Sequence, residues 1–196
     1  MAALAGSIDQ TVYQPASKSD APAILALQKI AYQSELELYG DDSLPALQQS
    51  LEDLENDFDR MPQREATLLG ERGMNVPDGQ GDRILFLKAV VNGKIIGSIR
   101  GYVVEDTAYL SRLMVHPYFR KRGIGRRLLE AMEKAFPGVA RIETKTGHQS
   151  KRNHYQLGKL GYQQFKTEPF TPKITWVYFQ KEIRPVAAAG RAEAHA

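Results

Sequence analysis

The sequence predicts an α+β domain with α/β/α layering, in which about four helices flank a twisted, mixed and mostly antiparallel sheet of about seven strands. Its 196 residues are 42% hydrophobic and 25% charged, which is ordinary for one globular domain. Apolar residues recur at strand-like and at helical spacings in turn. The resulting order is one strand, two helices, three strands, a helix, a strand, a helix and two strands, which is typical of an α+β or mixed-sheet domain.

The first part of the chain predicts one strand and two helices. Residues 10–15 have a short strand pattern, Asp20 can cap a helix, and Pro22 suits its first turn, where a missing N–H costs nothing. A second helix is expected over residues 43–58, from an apolar stripe at Leu47, Leu51, Leu54 and Phe58. The glycine-rich residues 67–82 predict a long mobile loop, with a lid as the alternative.

The rest of the chain predicts six strands and two helices. Asn92-Gly93 is a strong hairpin signal, because a type I′ turn needs positive φ at both central residues. A helix follows the basic glycine stretch and ends at Pro137-Gly138. The strands are expected over 83–91, 94–104, 108–115, 139–146 and a final pair at 162–165 and 174–180, with a helix over 149–160. One domain therefore spans 9–183, and residues 1–8 and 184–196 are predicted to be flexible termini.

The composition excludes several classes of protein. Without cysteine the chain has no disulfide framework, no thiolate zinc site and no cysteine nucleophile. Its four histidines are scattered, so no metal site is expected. No apolar run approaches the ~20 residues that span a bilayer, and the start lacks a signal-peptide pattern. We therefore expect a cytoplasmic protein that does not associate with membranes.

Charge is unevenly distributed along the chain although the net charge is only +3. Residues 31–59 contain no Lys or Arg but nine acidic residues, and five cations lie within residues 120–127. A basic region attracts phosphates and an acidic region attracts amines. We expect the molecule to present one region of each kind.

The basic stretch lies where a strand passes into a helix through two glycines. The first N–H groups of a helix lack intrahelical partners and carry the positive end of its dipole. Gly123 and Gly125 lack a Cβ, so an anion can approach the backbone closely. This combination predicts a site for a phosphate or pyrophosphate. A Walker A loop would need Gly-Lys-Ser/Thr here, and a Rossmann fingerprint would need glycine at Leu128, so both are disfavoured.

Two motifs of the chain resemble signatures of one enzyme family. The pattern Val115-x-Pro117-x-x-Arg120-x-x-Gly123-x-Gly125 resembles the acetyl-CoA loop of the GCN5-related N-acetyltransferases (GNAT), whose pattern is Arg/Gln-x-x-Gly-x-Gly/Ala. Residues 153–162 resemble the family's second signature, a helix that ends in Leu-Gly-Phe/Tyr. The predicted order of elements also matches over roughly residues 12–181. The resemblance implies a GNAT-like fold and an acyltransferase of the EC 2.3.1 class.

The same resemblance implies a site for acetyl-CoA. Backbone groups of Met114 and Val115 would bind the pantetheine arm, and Asn153 would contact the pantetheine or the acceptor. The pyrophosphate would lie on the loop, and Arg126 or Arg127 would reach the 3′-phosphate with a bidentate guanidinium. The implied loop residues are Arg120, Lys121, Arg122, Gly123, Ile124, Gly125, Arg126 and Arg127.

The family's acid and base positions hold other residue types in this chain. Where many members carry a glutamate base on the central strand, this chain has Tyr109, and where many carry a tyrosine acid, it has Leu157. Glu143 is a candidate base and Tyr155 a candidate acid, although Tyr155 lies two residues, or about 200° of helical turn, from the family position. Chains of water molecules that perform both proton transfers are the alternative.

The leading hypothesis is an N-acetyltransferase that moves an acetyl group from acetyl-CoA to a primary amine by direct attack. The acidic loop at residues 38–42 favours a cationic small molecule or a basic peptide as acceptor. A non-catalytic acyl-CoA-binding or regulatory module is the alternative. Nucleic acid is not expected as a partner, because no aromatic residues are interleaved with the loop cations. A homodimer is expected by analogy with the family.

Overall fold

A computed structural model of the protein describes residues 10–59 and 84–183. Within these ranges seven strands form one sheet in the order β1-β2-β3-β4-β5-β7-β6. The strands are β1 (Val12–Pro15), β2 (Leu85–Val91), β3 (Lys94–Val104), β4 (Thr107–Val115), β5 (Arg141–Gly147), β6 (Gln163–Pro169) and β7 (Thr175–Glu182). Only β4 and β5 pair in parallel, and the other neighbours are antiparallel. The predicted mixed, mostly antiparallel α+β fold is confirmed.

Five helices flank this sheet in the described part of the chain. They are α1 (Ala21–Tyr39), α2 (Pro45–Gln48), α3 (Leu51–Asp59), α4 (Ile124–Ala135) and α5 (Lys151–Lys159). One face of the sheet packs against α4 and α5 through a core that contains Leu128, Met132 and Leu157. The other face packs against α1 and α3 through a core that contains Ile24 and Leu54. Helices therefore cover both faces, as the predicted layering requires.

The predicted single helix over residues 43–58 is wrong, because the chain breaks it in two. Gln49 adopts an extended conformation with ψ of 128° and ends α2. Ser50 then begins α3 with a reciprocal cap, in which its Oγ accepts from the Asp53 N–H at 3.0 Å and Asp53 Oδ2 accepts from the Ser50 N–H at 3.0 Å. Such a cap satisfies two backbone donors that a helix start leaves open. Local capping thus prevails over the apolar stripe.

The structure also tests the predicted hairpin turn and the predicted final strands. The Asn92-Gly93 turn has φ of 49° and 71°, as a type I′ hairpin requires. The β6 strand is longer than its prediction, since it continues from Phe165 to Pro169 along β7. The predicted loop or lid at residues 67–82 and both predicted flexible termini lie outside the described residues.

An ion pair between Asp20 and Lys88 joins the start of α1 to β2. Lys88 Nζ donates to Asp20 Oδ2 at 2.6 Å, and the Ser17 N–H donates to the same oxygen at 2.8 Å. Burial opposes ionisation of this carboxyl, but the hydrogen bonds from Lys88 and Ser17 outweigh it and lower the pKa of Asp20. A lowered pKa in the folded state contributes stability above about pH 4, and that contribution is lost as pH falls through the folded-state value.

We expect Asp20→Asn to lower the free energy of unfolding at pH 7 by about 1 kcal/mol, because the charge-assisted bonds are weakened. The difference from the parent should shrink as pH falls below about 4 and through the folded-state pKa of Asp20. Urea unfolding over a pH series from 7 downwards measures this change. Glu105→Gln, at an exposed turn, serves as the control. A loss of stability that stays constant along the series would contradict the ionic origin.

Candidate active site

The strands β4 and β5 separate towards their carboxyl ends. Their parallel pairing runs from Thr107 opposite Arg141 to Leu110 opposite Thr144 and goes no further. Just beyond it, β4 is bulged against β3, and Arg112 has a positive φ of 53°. A bulge re-aims the strand and leaves backbone groups outside the ladder. A gap therefore opens in the middle of the sheet between Ser111–Val115 and Lys145–Gly147.

The loop after β4 has an alternating backbone that can hold an anion. Lys121 and Gly123 have φ of 63° and 80°, and Gly123 is the N-cap of α4. A Cβ added to Gly123 would meet no atom within 4 Å, and one added to Gly125 would meet only Val115 Cγ2, at 3.5 Å. The backbone is therefore open to solvent at the first turn of α4, where N–H groups have no intrahelical acceptor. Successive N–H groups in such a turn form an anion-binding concavity.

A cleft of about 1210 Å³ joins the gap between the strands to this loop. Most of the predicted cofactor residues line it, namely Met114, Val115, Arg120, Lys121, Gly123, Ile124, Gly125, Arg126 and Asn153. Arg122 and Arg127 are not among the lining residues. The Arg122 guanidinium instead lies over the Tyr118 ring, 5.2 Å from its centroid. Because Arg126 lines the cleft and Arg127 does not, the geometry favours Arg126 over Arg127 for a phosphate.

The side chain of Arg120 points to helix α1 and not into the anion concavity. Its guanidinium donates to the Ala31 carbonyl oxygen at 2.6 Å, to Ser34 Oγ at 3.1 Å and to the Val115 carbonyl oxygen at 3.2 Å. Burial lowers the pKa of Arg120, the nearby Arg152 lowers it further, and Glu35 opposes both. Arg120 therefore fixes the loop to α1. Its charge can attract an anion in the loop only by long-range electrostatics.

The two residues predicted for acid and base chemistry lie in different surroundings. Tyr155 lines the cleft and is 67% exposed, and Leu157, at the family's acid position, is buried. Glu143 is only 5% exposed, forms an ion pair with Arg141 at 3.0 Å and does not line the cleft. This placement does not favour Glu143 as a base for an amine in the cleft. Tyr109, at the family's base position, is buried beside Tyr102.

The acidic region reaches the cleft through residues other than the predicted loop. Asp41 accepts hydrogen bonds from Ser43 and Thr171, and neither Asp41 nor Asp42 lines the cleft. The carboxylates that do line it among the described residues are Glu35, Asp53, Asp57 and Glu168. The acidic residues of the first helices that line the cleft therefore belong to α1 and α3.

Two polar networks at the cleft could not be seen in the sequence. Arg100, on β3, forms a buried ion pair with Asp57 of α3, and its Nε donates to Ser111 Oγ at 3.2 Å. Ser150, before α5, donates to Glu35 Oε2 at 2.7 Å. No local spacing signals either pair, because 43 and 115 residues separate the partners. A mid-strand arginine in an apolar run was the one available hint of the first network.

Comparisons with known proteins identify the family and agree with the fold. The model of the acetyltransferase (GNAT) family matches residues 44–162, more than half of the chain. UPF0157 protein YqkA of Bacillus subtilis is 28% identical over 144 residues, which are 74% of this chain and 35% of that protein. The chain therefore spans about a third of the length of this relative.

Solved structures of acetyltransferases share the fold. The ribosomal-protein-S18-alanine N-acetyltransferase of Escherichia coli superposes with a TM-score of 0.63 at 19% identity, covering 95% of this chain and 100% of its own. The PaiA N-acetyltransferase of Thermoplasma acidophilum, solved in complex with coenzyme A, gives 0.61 at 17% identity, covering 89% and 99%. At these identities the likeness concerns the fold alone.

The fold and the cleft define an acetyltransferase domain. Together with the family match, they show that this chain belongs to the acetyltransferase (GNAT) family. In the described ranges no group of three or more His, Asp or Glu side chains is arranged to hold a metal ion. No helix in the same ranges is both long and apolar enough to cross a bilayer.

Proposed function

We propose that this protein is an acetyl-CoA-dependent N-acetyltransferase that acetylates a primary amine. The observation that carries the proposal is the continuous cleft between the separated ends of β4 and β5 and the loop at the start of α4. Coenzyme A has an extended arm that suits a gap between strands and a diphosphate that suits an anion-binding turn. The open backbone at Gly123 and Gly125 fits such a group.

Each part of the cofactor then has a partner in the chain. Backbone groups of Met114 and Val115 hold the pantetheine arm beside Asn153, whose Nδ2 donates to Thr146 Oγ1 at 3.2 Å and is thereby oriented. The N–H groups of the loop and of the first turn of α4 hold the diphosphate, and Lys121 and Arg126 add positive charge. When bound, acetyl-CoA supplies an activated acetyl thioester. The protein's contribution is to hold the amine and the thioester in line.

The acceptor is proposed to be a cationic amine, such as a polyamine, an aminoglycoside-like compound or a basic peptide. Carboxylates of α1, α3 and β6 line the cleft. They attract an ammonium group. We further propose a cytoplasmic single-domain protein over residues 9–183 that acts as a homodimer without nucleic acid or membrane.

A thiol-release assay with a panel of amines tests this function. We expect acetyl-CoA to raise the melting temperature, and free thiol to appear faster with polyamines than with amines that also carry carboxylates. Equal rates for both kinds of amine would contradict the cationic acceptor. Thermal stabilisation with no thiol release would instead indicate the non-catalytic binding module. Salt-dependent binding to generic DNA without any response to acetyl-CoA would indicate a nucleic-acid-binding protein.

A further inference from the structure

An amine that enters the cleft as an ammonium ion must lose a proton before it can attack a thioester. The group that accepts this proton must line the cleft, must be a base and must be held in a fixed orientation. Neither the family's base position, which is Tyr109, nor the predicted Glu143 meets these conditions. The other carboxylates that line the cleft are therefore the remaining candidates.

Three of the four carboxylates that line the cleft are already engaged in ion pairs or caps. Asp57 is paired with the buried Arg100, and Glu168 is paired with Lys166 at 2.7 Å. Asp53 caps α3 through Ser50, whose N–H and Oγ lower the pKa of Asp53 by hydrogen bonding. In the part of the chain that the structure describes, Glu35 is the cleft carboxylate that takes part in neither kind of contact.

A chain of hydrogen bonds holds Glu35 in place. The Gln149 N–H donates to Tyr39 Oη at 2.8 Å, Tyr39 Oη lies 3.4 Å from Ser150 Oγ, and Ser150 Oγ donates to Glu35 Oε2 at 2.7 Å. The single hydroxyl hydrogen of Ser150 is donated to Glu35, so Tyr39 must be the donor in the hydrogen bond between Tyr39 and Ser150. Every hydrogen bond in this chain therefore points towards the carboxylate, which favours Glu35 as an acceptor.

Ser150 does not use its hydroxyl to cap helix α5. Ser150 is the N-cap of α5, but its hydroxyl makes no capping bond to that helix. A serine at this position ordinarily accepts from an N–H of the first turn. Gly147 allows the arrangement, because a Cβ there would clash with the Tyr39 hydroxyl. Two features of the β5–α5 connection are thus arranged around the Glu35 network.

We infer that Glu35 is the general base of acetyl transfer and that Ser150 and Tyr39 are its positioning residues. The inference rests on the proposed function. Glu35 takes one proton from the ammonium group, and the nitrogen lone pair attacks the thioester carbonyl carbon. The C–N bond forms, the C–S bond breaks and its electron pair leaves on sulfur. The second N–H proton goes to that sulfur, and Glu35 returns its proton to water.

The charged neighbours of Glu35 are cationic. Arg120 approaches Glu35 from the loop after β4, and Arg152 of α5 lies near Arg120. Tyr39 is the titratable residue of α1 in the hydrogen-bonded network, and its ring lies 5.6 Å from the ring of His148. A pH effect on the rate is therefore assigned to Glu35 only where Glu35→Gln and the parent chain differ.

The test compares Glu35→Gln with the parent chain in a steady-state assay from pH 6 to pH 9, using a polyamine and acetyl-CoA. We expect kcat of the variant at pH 7 to fall at least about 100-fold, because general bases contribute about 10²- to 10⁴-fold. Its kcat/KM should then rise about tenfold per pH unit, following the fraction of free amine. Glu35→Asp should recover part of the rate.

Matched measurements keep the outcomes distinct. Glu37→Gln changes an exposed carboxylate of the same helix outside the cleft and should match the parent. Stabilisation by acetyl-CoA should be equal in all variants, which shows an intact fold and cofactor site. A rate within threefold of the parent, or a raised acceptor KM with unchanged kcat, overturns Glu35 as the base while leaving the proposed function standing. A parent chain that releases no thiol with any amine overturns both.

Discussion

Replacing Gly125 by aspartate is expected to remove most of the affinity for acetyl-CoA while the fold is kept. The new Cβ would meet only Val115 Cγ2, at an ordinary van der Waals distance of 3.5 Å. A carboxylate in the first turn of a helix is stabilising by about 0.3–1 kcal/mol, so unfolding should not become easier. The same carboxylate would lie beside the diphosphate. Like charges about 4 Å apart repel by about 1–4 kcal/mol, which corresponds to an affinity loss of about 5- to 700-fold.

Isothermal titration with acetyl-CoA measures the loss, and thermal unfolding without ligand checks the fold. Gly125→Asn is the matched control, because it has the same shape without the charge. It should lose clearly less affinity than the aspartate variant. Equal losses in both variants would mean that steric exclusion dominates. Unchanged binding in the aspartate variant would show that the start of α4 does not hold the diphosphate.

Replacing Asp57 by alanine is expected to destabilise the protein by about 3–5 kcal/mol. Asp57 and Arg100 are 6% and 2% exposed, and their ion pair joins α3 to β3 beneath the cleft. Removing the carboxylate takes a charged partner away from a buried guanidinium, which costs far more than the pair itself contributes. For a domain of this size, such a loss lowers the melting temperature by about 10 °C.

A second change separates this mechanism from simple loss of packing. Adding Arg100→Leu to Asp57→Ala removes the buried charge as well, so the double variant should be more stable than the single one. Glu52→Ala, at an exposed position of the same helix, should remain within about 0.5 kcal/mol of the parent. A double variant as unstable as the single one would show that the charge of Arg100 is not the cause.

Predictions from the sequence succeeded where the signal is local. The Asn92-Gly93 turn depends on two adjacent residues, and the loop glycines at 123 and 125 depend on the step from strand to helix. Both are matters of backbone conformation, which residues impose on their immediate surroundings. The same kind of local signal predicted the element order and hence the fold.

The remaining features depend on which distant residues the fold brings together. The break at Gln49 comes with the Ser50–Asp53 cap, which is not evident from the spacing of the apolar residues. Arg120 lies in a sequence pattern that predicts phosphate binding. Its guanidinium instead donates hydrogen bonds to a hydroxyl and a carbonyl oxygen of α1, which lie 86 and 89 residues away in the sequence. The candidate base Glu35 gains its orientation from a serine that only tertiary structure brings near. Contacts between residues that lie so far apart in the sequence cannot be predicted from the spacing of residue types.

Helix α1 is attached to both walls of the cleft. Arg120 secures it to the loop before α4, while Glu35 and Tyr39 secure it to the connection before α5. The width of the opening is therefore established when the chain folds, before any ligand arrives. Little ordering entropy then remains to be lost on association, which improves affinity without an additional contact. Variants that loosen the attachment of Arg120 to α1 should bind acetyl-CoA more weakly even when every other residue of the cleft is retained.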